Sequence, residues 1–318
     1  MSPAEAAAAE ITLRFLAAPT DAGQSGSVSA GRVLEWIDKA GYAAAAGWSG
    51  TYAVTAYVGN VRFTRPVEVG ELVEVTARVV HTGRSSMHIT VDVASGQPRT
   101  REMAPATRCL IIFVAVDEDG RSTPVPTLVP RTQGQELEER WAARRADLRA
   151  RVEAAMAGQV YTEAGTAPRV VMRFLAAPTD VNWGGKVHGG IVMRWIDEAA
   201  HVLVTEWTGD AANIAVYAGG VRFYQPLRIG DLVEVEARLI YTGRRSMHVS
   251  VHVRSGNPAV LERRLTTHCL IVFVALAPEG NAVETRPWEP TTEEDVHLFE
   301  HAKHLIDLRA AADDITPT

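Results

Sequence analysis

Residues 14–21 of the chain are Arg-Phe-Leu-Ala-Ala-Pro-Thr-Asp, and residues 173–180 repeat the same eight letters. The duplication continues beyond this octapeptide. Trp-Ile-Asp occurs at 36–38 and 195–197, Ser-Met-His at 86–88 and 246–248, and Cys-Leu-Ile at 109–111 and 269–271. The chain is therefore one domain written twice. A fused pair of similar domains can build sites at the shared interface, so the positions where the two copies differ are the most informative.

The length of the chain agrees with this duplication. A chain of 318 residues corresponds to about two domains of ordinary size, and each half is long enough to bury a core of its own. We expect a first domain at 1–150, which includes the helix that connects the copies, and a second domain at 151–318 with a C-terminal helix.

Charge and composition narrow the partners and the compartment. The formal net charge of -6, without any run of Lys or Arg, argues against a nucleic-acid-binding surface. No apolar stretch approaches the ~20 residues needed to cross a bilayer, and residues 1–5 lack the features of a signal peptide. Cys109 and Cys269 lie at equivalent positions in apolar runs, where buried packing is more common than a disulfide or a nucleophile. We expect a cytoplasmic protein without membrane contact.

Hydrophobic periodicity predicts the same elements in each copy. Apolar residues at helical spacing follow each Gly-rich loop, at Val33, Trp36, Ile37 and Ala40 and again at Ile191, Trp195, Ala199 and Val202. The period then changes to two, as in half-buried antiparallel strands, at 73–79, 87–93, 233–239 and 247–253. The runs 109–115 and 269–275 are typical of central strands, and a charged helix closes each copy. One buried helix with an antiparallel sheet predicts an α+β fold.

The order of the short motifs resembles that of a known family. In the second copy a Thr-Asp-x-Asn loop ends at Asn182, the helix begins with Gly189 and Gly190, Trp-Ile-Asp ends at Asp197, and Gly-Arg-x-Ser-Met begins at Gly243. This series resembles the hotdog-fold acyl-CoA thioesterases, and its duplication is similar to the double-hotdog cytosolic acyl-CoA and acetyl-CoA hydrolases. The resemblance extends roughly from residue 13 to residue 310.

The resemblance implies tandem hotdog domains, in which each sheet wraps around a long central helix and the two sheets join. Two sites would then lie between the helices, each combining a helix Asp with a loop Asn of the opposite copy. Asp38 and Asn182 are the catalytic candidates of one site. In the other site Asp197 faces Gly23, which occupies the position of the Asn, so we expect that second site to be degenerate.

Thioester hydrolysis requires an activated nucleophile and donors for the oxyanion. An Asp on an apolar helix is costly to bury without partners, so Asp38 is either an exposed carboxylate on the helix edge or part of a polar cleft. The resemblance favours the second reading, as a general base or as a nucleophile that forms an anhydride. Gly189 and Gly190 begin the second helix, where unpaired amides suit an oxyanion. A Gly-rich turn that permits tight packing is the other interpretation, and both can hold together.

The remaining candidates concern coenzyme A and cofactors. Arg and Ser side chains at two turn-to-strand junctions suit phosphates, although most surface Arg residues are simply solvated; these residues are Arg84, Ser85, Ser86, Arg244, Arg245 and Ser246. His88 and His248 occupy outward strand positions and are expected to be structural or surface residues. No Cys/His cluster suggests zinc, and we expect neither a metal ion nor another cofactor.

Two other functions remain open at this stage. A hotdog enoyl-CoA hydratase or dehydratase is suggested by Asp180, Asn182 and His188, but Trp183 stands where that signature has Pro and the His falls three positions too late. A non-enzymatic acyl-CoA-binding module is the second alternative. The resemblance also implies a homo-oligomer, namely a trimer of double-hotdog chains that mimics a hexamer of single domains.

Overall fold

The computed structural model describes residues 9–100, 102–159, 161, 162 and 164–313, so the N-terminal residues 1–5 lie outside the described part. The first copy runs through β1 (Glu10–Leu16), α1 (Ala30–Ser49), β2 (Ala53–Val58), β3 (Val61–Arg62), β4 (Leu72–Thr82), β5 (Ser86–Gly96), β6 (Ala104–Ala115) and α2 (Gln133–Ala157). The second copy runs through β7 (Arg169–Leu175), α3 (Gly189–Thr208), β8 (Asn213–Phe223), β9 (Leu232–Thr242), β10 (Met247–Gly256), β11 (Arg264–Ala275) and α4 (Glu293–Asp313). The predicted α+β class and the duplication are confirmed.

The strands of both copies form one antiparallel sheet. Its order is β1-β4-β5-β6-β2-β8-β11-β10-β9-β7, with β3 paired to β8 as an eleventh strand. The two copies join where β2 pairs with β8, with Tyr57 opposite Arg222 and Val58 opposite Val221. This join confirms that the sheets are continuous, as the resemblance implied.

One face of the sheet packs against α1 and α3. The period-two residues of the strands are fully buried beneath these helices, for example Val73, Val75 and Ala77 at 0% exposure. On the helices, Ile37 and Ala199 are likewise 0% exposed. The period-two pattern of the strands and the helical pattern of α1 and α3 therefore correctly predicted the residues that face each other in one core.

The two central helices approach each other closely at their N-terminal ends. A Cβ atom on Gly31 would lie 2.8 Å from Arg194 Cα, and one on Gly190 would lie 2.7 Å from Glu35 Cα. Backbone atoms cannot yield as a flexible side chain can, so any larger residue at either position would push the helices apart. The tight-packing explanation of the Gly-rich helix start is thus confirmed at both helices.

Helices α2 and α4 cover the opposite face of the sheet. Their apolar residues form a second cluster with β9 and β11, composed of Leu148, Val152, Met156, Ile240, Leu270, Leu298, Ala302, Leu305 and Leu308. His88 and His248, on the same outer face, are only 8% and 5% exposed. The surface alternative for these two histidines was wrong, because the outward side of their strands is covered by helices rather than by solvent.

The expected domain boundary falls inside a helix. Helix α2 ends at residue 157, seven residues beyond the boundary expected at 150. The division into 1–150 and 151–318 stays a prediction.

Candidate active site

Two cavities of about 230 Å³ each lie between the copies, at positions related by the duplication. The Asp38 cavity is lined by Asp38, Tyr42, Tyr52 and Thr55 of the first copy together with Asn182, Trp183, Lys186, His188 and Gly189 of the second. The Asp197 cavity is lined by Gly23, Ser27, Ser29 and Ala30 of the first copy together with Asp197, His201, Asn213 and Ala215 of the second. The structure thus places Asp38 with Asn182 in one cavity, and Asp197 with Gly23 in the other.

The Asp38 carboxylate is 2% exposed and is held by groups from both copies. The hydroxyl of Thr55 donates to Oδ1 at 2.6 Å, and the backbone N–H of Gly190 donates to Oδ2 at 2.8 Å. His188 Nδ1 lies 2.8 Å from the same Oδ2. Three donors converge on one carboxylate, which compensates for the loss of water around a buried charge.

The short distance between His188 and Asp38 decides which ring nitrogen carries a proton. Two lone pairs would repel each other at 2.8 Å, so Nδ1 is protonated and donates to the carboxylate. The N–H of Gly190 is also 3.1 Å from this nitrogen, but a protonated Nδ1 has no lone pair with which to accept. The amide of Gly190 therefore serves Asp38 alone.

This arrangement separates the roles of the two helix-start glycines. The N–H of Gly190 is occupied by the carboxylate, so it does not act as the free oxyanion donor that the sequence suggested. Gly189 lines the cavity, and a Cβ atom there would lie 3.1 Å from Thr55 Oγ1 and 3.2 Å from Asp38 Oδ2. A glycine at this position keeps space open directly beside the carboxylate.

The side chain of Asn182 shapes its own loop and also faces the cavity. Its Oδ1 accepts from the N–H groups of Gly184 at 2.9 Å and Lys186 at 3.1 Å, which is the behaviour of a turn residue. Its Nδ2 donates to the carbonyl of Val187 at 3.3 Å. An amide nitrogen has two hydrogens, and the second lies close enough to the Tyr52 hydroxyl to oppose the rise in the pKa of that group, so a ligand would compete with Tyr52 for it. The turn role and a ligand-binding role are therefore compatible.

Aromatic side chains form one wall of the Asp38 cavity. The rings of Tyr42 and Trp183 stack at 4.5 Å with an interplanar angle of 4°. Trp183 is nevertheless 68% exposed, so it extends the wall to the surface. Burial raises the pKa of Tyr52, which also lines the cavity. These rings offer a flat apolar surface beside the carboxylate.

The Asp197 cavity keeps the framework and lacks most of the polar groups. Asp197 Oδ2 accepts the N–H of Gly31 at 2.9 Å, which matches the bond between Asp38 and Gly190. Thr55 and Ala215 are equivalent, since they pair with Phe113 and Phe273. The other replacements follow from the duplication: Gly23 for Asn182, Ser29 for His188, Ala30 for Gly189 and Ser27 for Lys186.

The loss of donors changes the electrostatics of the second carboxyl group. Burial raises the pKa of Asp197 from 3.8 to about 6, and the charge of Glu198 adds to this effect, while the N–H of Gly31 opposes it. A buried carboxyl group with a single donor is more easily protonated. The two Asp residues thus share a position and differ in their surroundings.

Several predicted residues lie outside both cavities. The six Arg and Ser residues proposed for coenzyme A lie in the turns between β4 and β5 and between β9 and β10 or, for Ser86, at the first position of β5, and none of them lines either cavity. The Asp180 carboxylate accepts the N–H of Ala177 at 2.9 Å, within its own turn. Both cysteines are buried, and burial raises the pKa of each thiol to about 12. An unreactive thiol agrees with the packing role that was expected.

Thr55 was missed from the sequence, as was the role of His188 in binding Asp38. A Thr in a strand is unremarkable, because β-branched residues favour strands. The available signal was the difference between the copies, since Thr55 is matched by Ala215 and His188 by Ser29. Lys186, a cation on the cavity lining, is likewise matched by the neutral Ser27.

Among the described residues, no group of three or more His, Cys, Asp or Glu side chains is arranged to hold a metal ion. None of the helices in the part that the structure describes is long and apolar enough to span a membrane.

The sequence of the chain is similar to those of known thioesterases. A sequence profile described as "Thioesterase superfamily" matches residues 25–102 and 184–262. The human "Cytosolic acyl coenzyme A thioester hydrolase" is 25% identical over 305 residues, covering 90% of this chain and 79% of that protein. The "Acyl-CoA thioester hydrolase YciA" of Salmonella typhimurium is 35% identical over 121 residues, covering 37% of this chain and 90% of that protein.

A solved structure supports the fold. A protein from Lactobacillus plantarum, assigned as an oleoyl thioesterase, superposes with a TM-score of 0.60 at 11% sequence identity. The match covers 86% of this chain and 99% of that one. At this level of identity the likeness establishes the tandem hotdog architecture and nothing further.

Proposed function

The chain belongs to the thioesterase superfamily, and from this membership we propose that it is an acyl-CoA thioesterase that hydrolyses acyl-CoA to a free fatty acid and coenzyme A. The observation that carries the proposal is the Asp38 carboxylate, which is buried in a cavity between the copies with three donors fixed on it. The relatives named acyl-CoA thioester hydrolases point to the same substrate class.

In the proposed reaction the thioester carbonyl enters the space beside Gly189, close to Asp38. Asp38 removes a proton from water, the water oxygen attacks the carbonyl carbon, and the C–S bond breaks as the sulfur of coenzyme A leaves. The proton then passes to that sulfur. In the alternative route the carboxylate itself attacks, and water hydrolyses the resulting anhydride. Both routes give the same products and use the same fixed carboxylate.

The groups around Asp38 have separate tasks in this proposal. Thr55, His188 and the amide of Gly190 orient the carboxylate, so that little reorganisation is needed when the bond forms. Asn182 offers its second Nδ2 hydrogen, which the Tyr52 hydroxyl also approaches, to the thioester oxygen as negative charge develops. The amide of Gly189, at the positive end of the α3 dipole, is a second candidate donor. We therefore assign catalysis to Asp38 and Asn182.

The proposed binding of coenzyme A uses the cavity wall and its rim. Lys186 is the cation nearest to the cavity and suits a phosphate group, while Trp183 and Tyr42 suit apolar contact with the substrate. The two Arg/Ser turns remain candidates for phosphates outside the cavity. Their contribution is proposed to be smaller, because Arg84, Arg244 and Arg245 are exposed side chains.

Turnover of an acyl-CoA panel tests the proposed function. Purified protein is incubated with saturated and 2-enoyl thioesters of several chain lengths, and free thiol is measured with a chromogenic disulfide. We expect thiol release at a rate proportional to enzyme concentration. Loss of the enoyl absorbance without thiol release would instead identify a hydratase, and binding without turnover would identify a non-enzymatic module.

Assembly and location follow from the same family membership. We propose a trimer of these chains, which light scattering at micromolar concentration would measure as about three times the 34.4 kDa monomer mass. A strict monomer would contradict this. We also propose a cytoplasmic location, because two relatives that match about nine-tenths of the chain carry the word cytosolic in their names; cell fractionation tests it.

A further inference from the structure

The Asp197 cavity has lost the catalytic groups without losing its space. Both cavities measure about 230 Å³, although the five lining positions compared above carry different residues in the two copies. A cavity that had no use could be filled by larger side chains at little cost, and filling would add stability. The replacements here are small instead, with Gly23, Ser29, Ala30 and Ala215 around the opening.

Three residues lining this cavity carry buried polar atoms without a hydrogen-bond partner among the described residues. These atoms are Thr107 Oγ1, His201 Nε2 and Asn213 Oδ1. Asn213 is only 2% exposed, and its Nδ2 is already engaged with the carbonyl of Asp210 at 2.5 Å. Unpaired buried polar groups cost free energy and are uncommon in folded proteins. Their place in the lining leaves hydrogen-bonding capacity that a bound ligand could satisfy.

The chemistry of the lining limits what this ligand can be. Burial holds His201 towards its neutral form by lowering its pKa, and it raises the pKa of Asp197 to about 6. Apolar side chains such as Phe273 and Ile214 complete the lining. The cavity therefore suits an uncharged chain that carries amide or hydroxyl groups on an apolar stem, rather than an ion.

We propose that the Asp197 cavity is a second, non-hydrolytic binding site for the pantetheine arm of coenzyme A or of an acyl-CoA. This inference rests on the proposed function for the identity of the ligand, because the same framework would present the same arm to both cavities. The pantetheine arm has two amides and a hydroxyl on an otherwise uncharged chain, and its donors suit a polar lining in which Asp197 is ionised above about pH 6. A bound thioester would survive, because Gly23 and Ala215 replace the side chains of Asn182 and Thr55.

The second site should bind more weakly than the first. Lys186 has no cationic counterpart, since Ser27 occupies its position. Arg65 lines the Asp197 cavity but is already paired with the carboxylate of Glu71 and with Ser95. The opening of the Asp197 cavity therefore offers less unpaired positive charge to phosphate groups. We expect its dissociation constant to be clearly higher than that of the Asp38 cavity.

Calorimetric titration of the full-length protein tests this proposal. The probes are free coenzyme A and a ketone analogue in which a methylene replaces the thioester sulfur of acyl-CoA, so that hydrolysis cannot interfere. We expect two ligands per chain in the wild type. Ala215→Phe, which fills the Asp197 cavity, should leave one tight ligand, and the matched Thr55→Phe should leave one weak ligand. One ligand per chain in the wild type, or two in Ala215→Phe, would overturn the proposal.

A conservative variant covers the case in which the Phe substitution prevents folding. His201→Leu removes a ring whose Nε2 has no described partner, so the fold loses no hydrogen bond at that atom. We expect the weaker affinity to fall up to about tenfold, the usual effect of one hydrogen bond, with the tight affinity unchanged. An unchanged weak affinity contradicts the proposal. Failure of the thiol-release assay would concern the proposed function alone, since binding is measured without turnover.

Discussion

The Asp38 and Asp197 cavities are two versions of one site within a single chain. Each has an Asp on a central helix whose carboxylate accepts the first buried amide of the opposite helix, at 2.8 Å and 2.9 Å. Only the Asp38 carboxylate also accepts hydrogen bonds from a hydroxyl group, that of Thr55, and from an imidazole ring, that of His188. The comparison shows that the framework of a site and its chemistry can separate after a duplication.

The framework is kept because it is part of the core. Gly31 and Gly190 both lie against the backbone of the opposite helix, so neither can change without moving the helices. The positions that differ, such as Thr55 and Ala215, point into a cavity and can change without repacking. One cavity can therefore lose its polar groups while the chain keeps its fold.

Among the residues that surround Asp38, the largest effect is expected for the loop amide. Asn182→Ala should reduce kcat by roughly 10²–10³, the usual cost of losing a donor to a developing oxyanion. The counterpart Gly23→Ala tests the other cavity and should leave the rate within twofold. Steady-state thiol release measures both. Equal losses in the two variants would mean that both cavities hydrolyse the substrate.

A substitution at Gly189, the first residue of α3, should lower kcat by about 10²-fold. Gly189→Ala places a methyl group 3.1 Å from the Thr55 hydroxyl and 3.2 Å from the Asp38 carboxylate, and a displacement of that order at the reacting centre can cost about 10²-fold. Ala30→Gly makes the opposite change in the Asp197 cavity and should not raise the rate. Crystal structures of both variants would show whether the methyl group shifts the carboxylate.

Thr55→Ala converts the first cavity to the residue found in the second. The lost hydrogen bond to a charged group corresponds to roughly 10–100-fold in rate. Thr55→Ser should restore most of the activity, because it keeps the hydroxyl. Ala215→Thr is the matched control and should gain nothing, since Asn182 has no equivalent there. A Thr55→Ala enzyme with normal kcat would show that this hydroxyl is not needed to orient Asp38.

The comparison also predicts a difference in stability with pH. The pKa of Asp197 is raised from 3.8 to about 6 by burial, so the folded state holds its proton more tightly than the unfolded state. The stability from this group is complete below the unfolded pKa and is lost as pH rises through about 6. Asp197→Asn removes that loss, so its melting temperature should exceed that of the wild type above pH 7 by a few degrees, at about 2–4 °C per kcal/mol.

The control for the pH experiment is Asp38→Asn. This change replaces one acceptor oxygen with an NH2 group that faces donors already pointing at it, so the variant should be less stable than the wild type at every pH between 5 and 8. Scanning calorimetry of the three proteins gives both answers. A stability advantage of Asp197→Asn that is equally large at pH 5 and pH 8 would contradict burial as the cause of the raised pKa.

Most of the fold could be predicted from the sequence, because the information is repeated and local. The alternation at 73–79 and the helical stripe around Trp36 each depend on burial of one face, which leaves a direct record in the order of residues. The outward histidines were harder to place, since a sequence pattern does not say which helix covers the outer face. His88 is buried because α2 packs there.

The site was predicted only in part, because its contacts join residues far apart in the chain. Asp38 and Asn182 were found through resemblance and through the difference between the copies. The bond between His188 and Asp38 depends on how α1 crosses α3, which no local pattern records. The amide of Gly190 was assigned to the oxyanion for the same reason, since its partner, 152 positions away, could not be recognised.

The rates of Asp38→Ala and Asp197→Ala on one acyl-CoA test the central claim most directly. Both residues occupy matched positions on buried helices, so melting temperatures measured alongside control for damage to the fold. We predict that Asp38→Ala lowers kcat by roughly 10²–10⁴, the usual contribution of a positioned base, and that Asp197→Ala stays within a few-fold of the wild type. An inactive Asp197→Ala beside a nearly normal Asp38→Ala would contradict the assignment of catalysis to the Asp38 cavity.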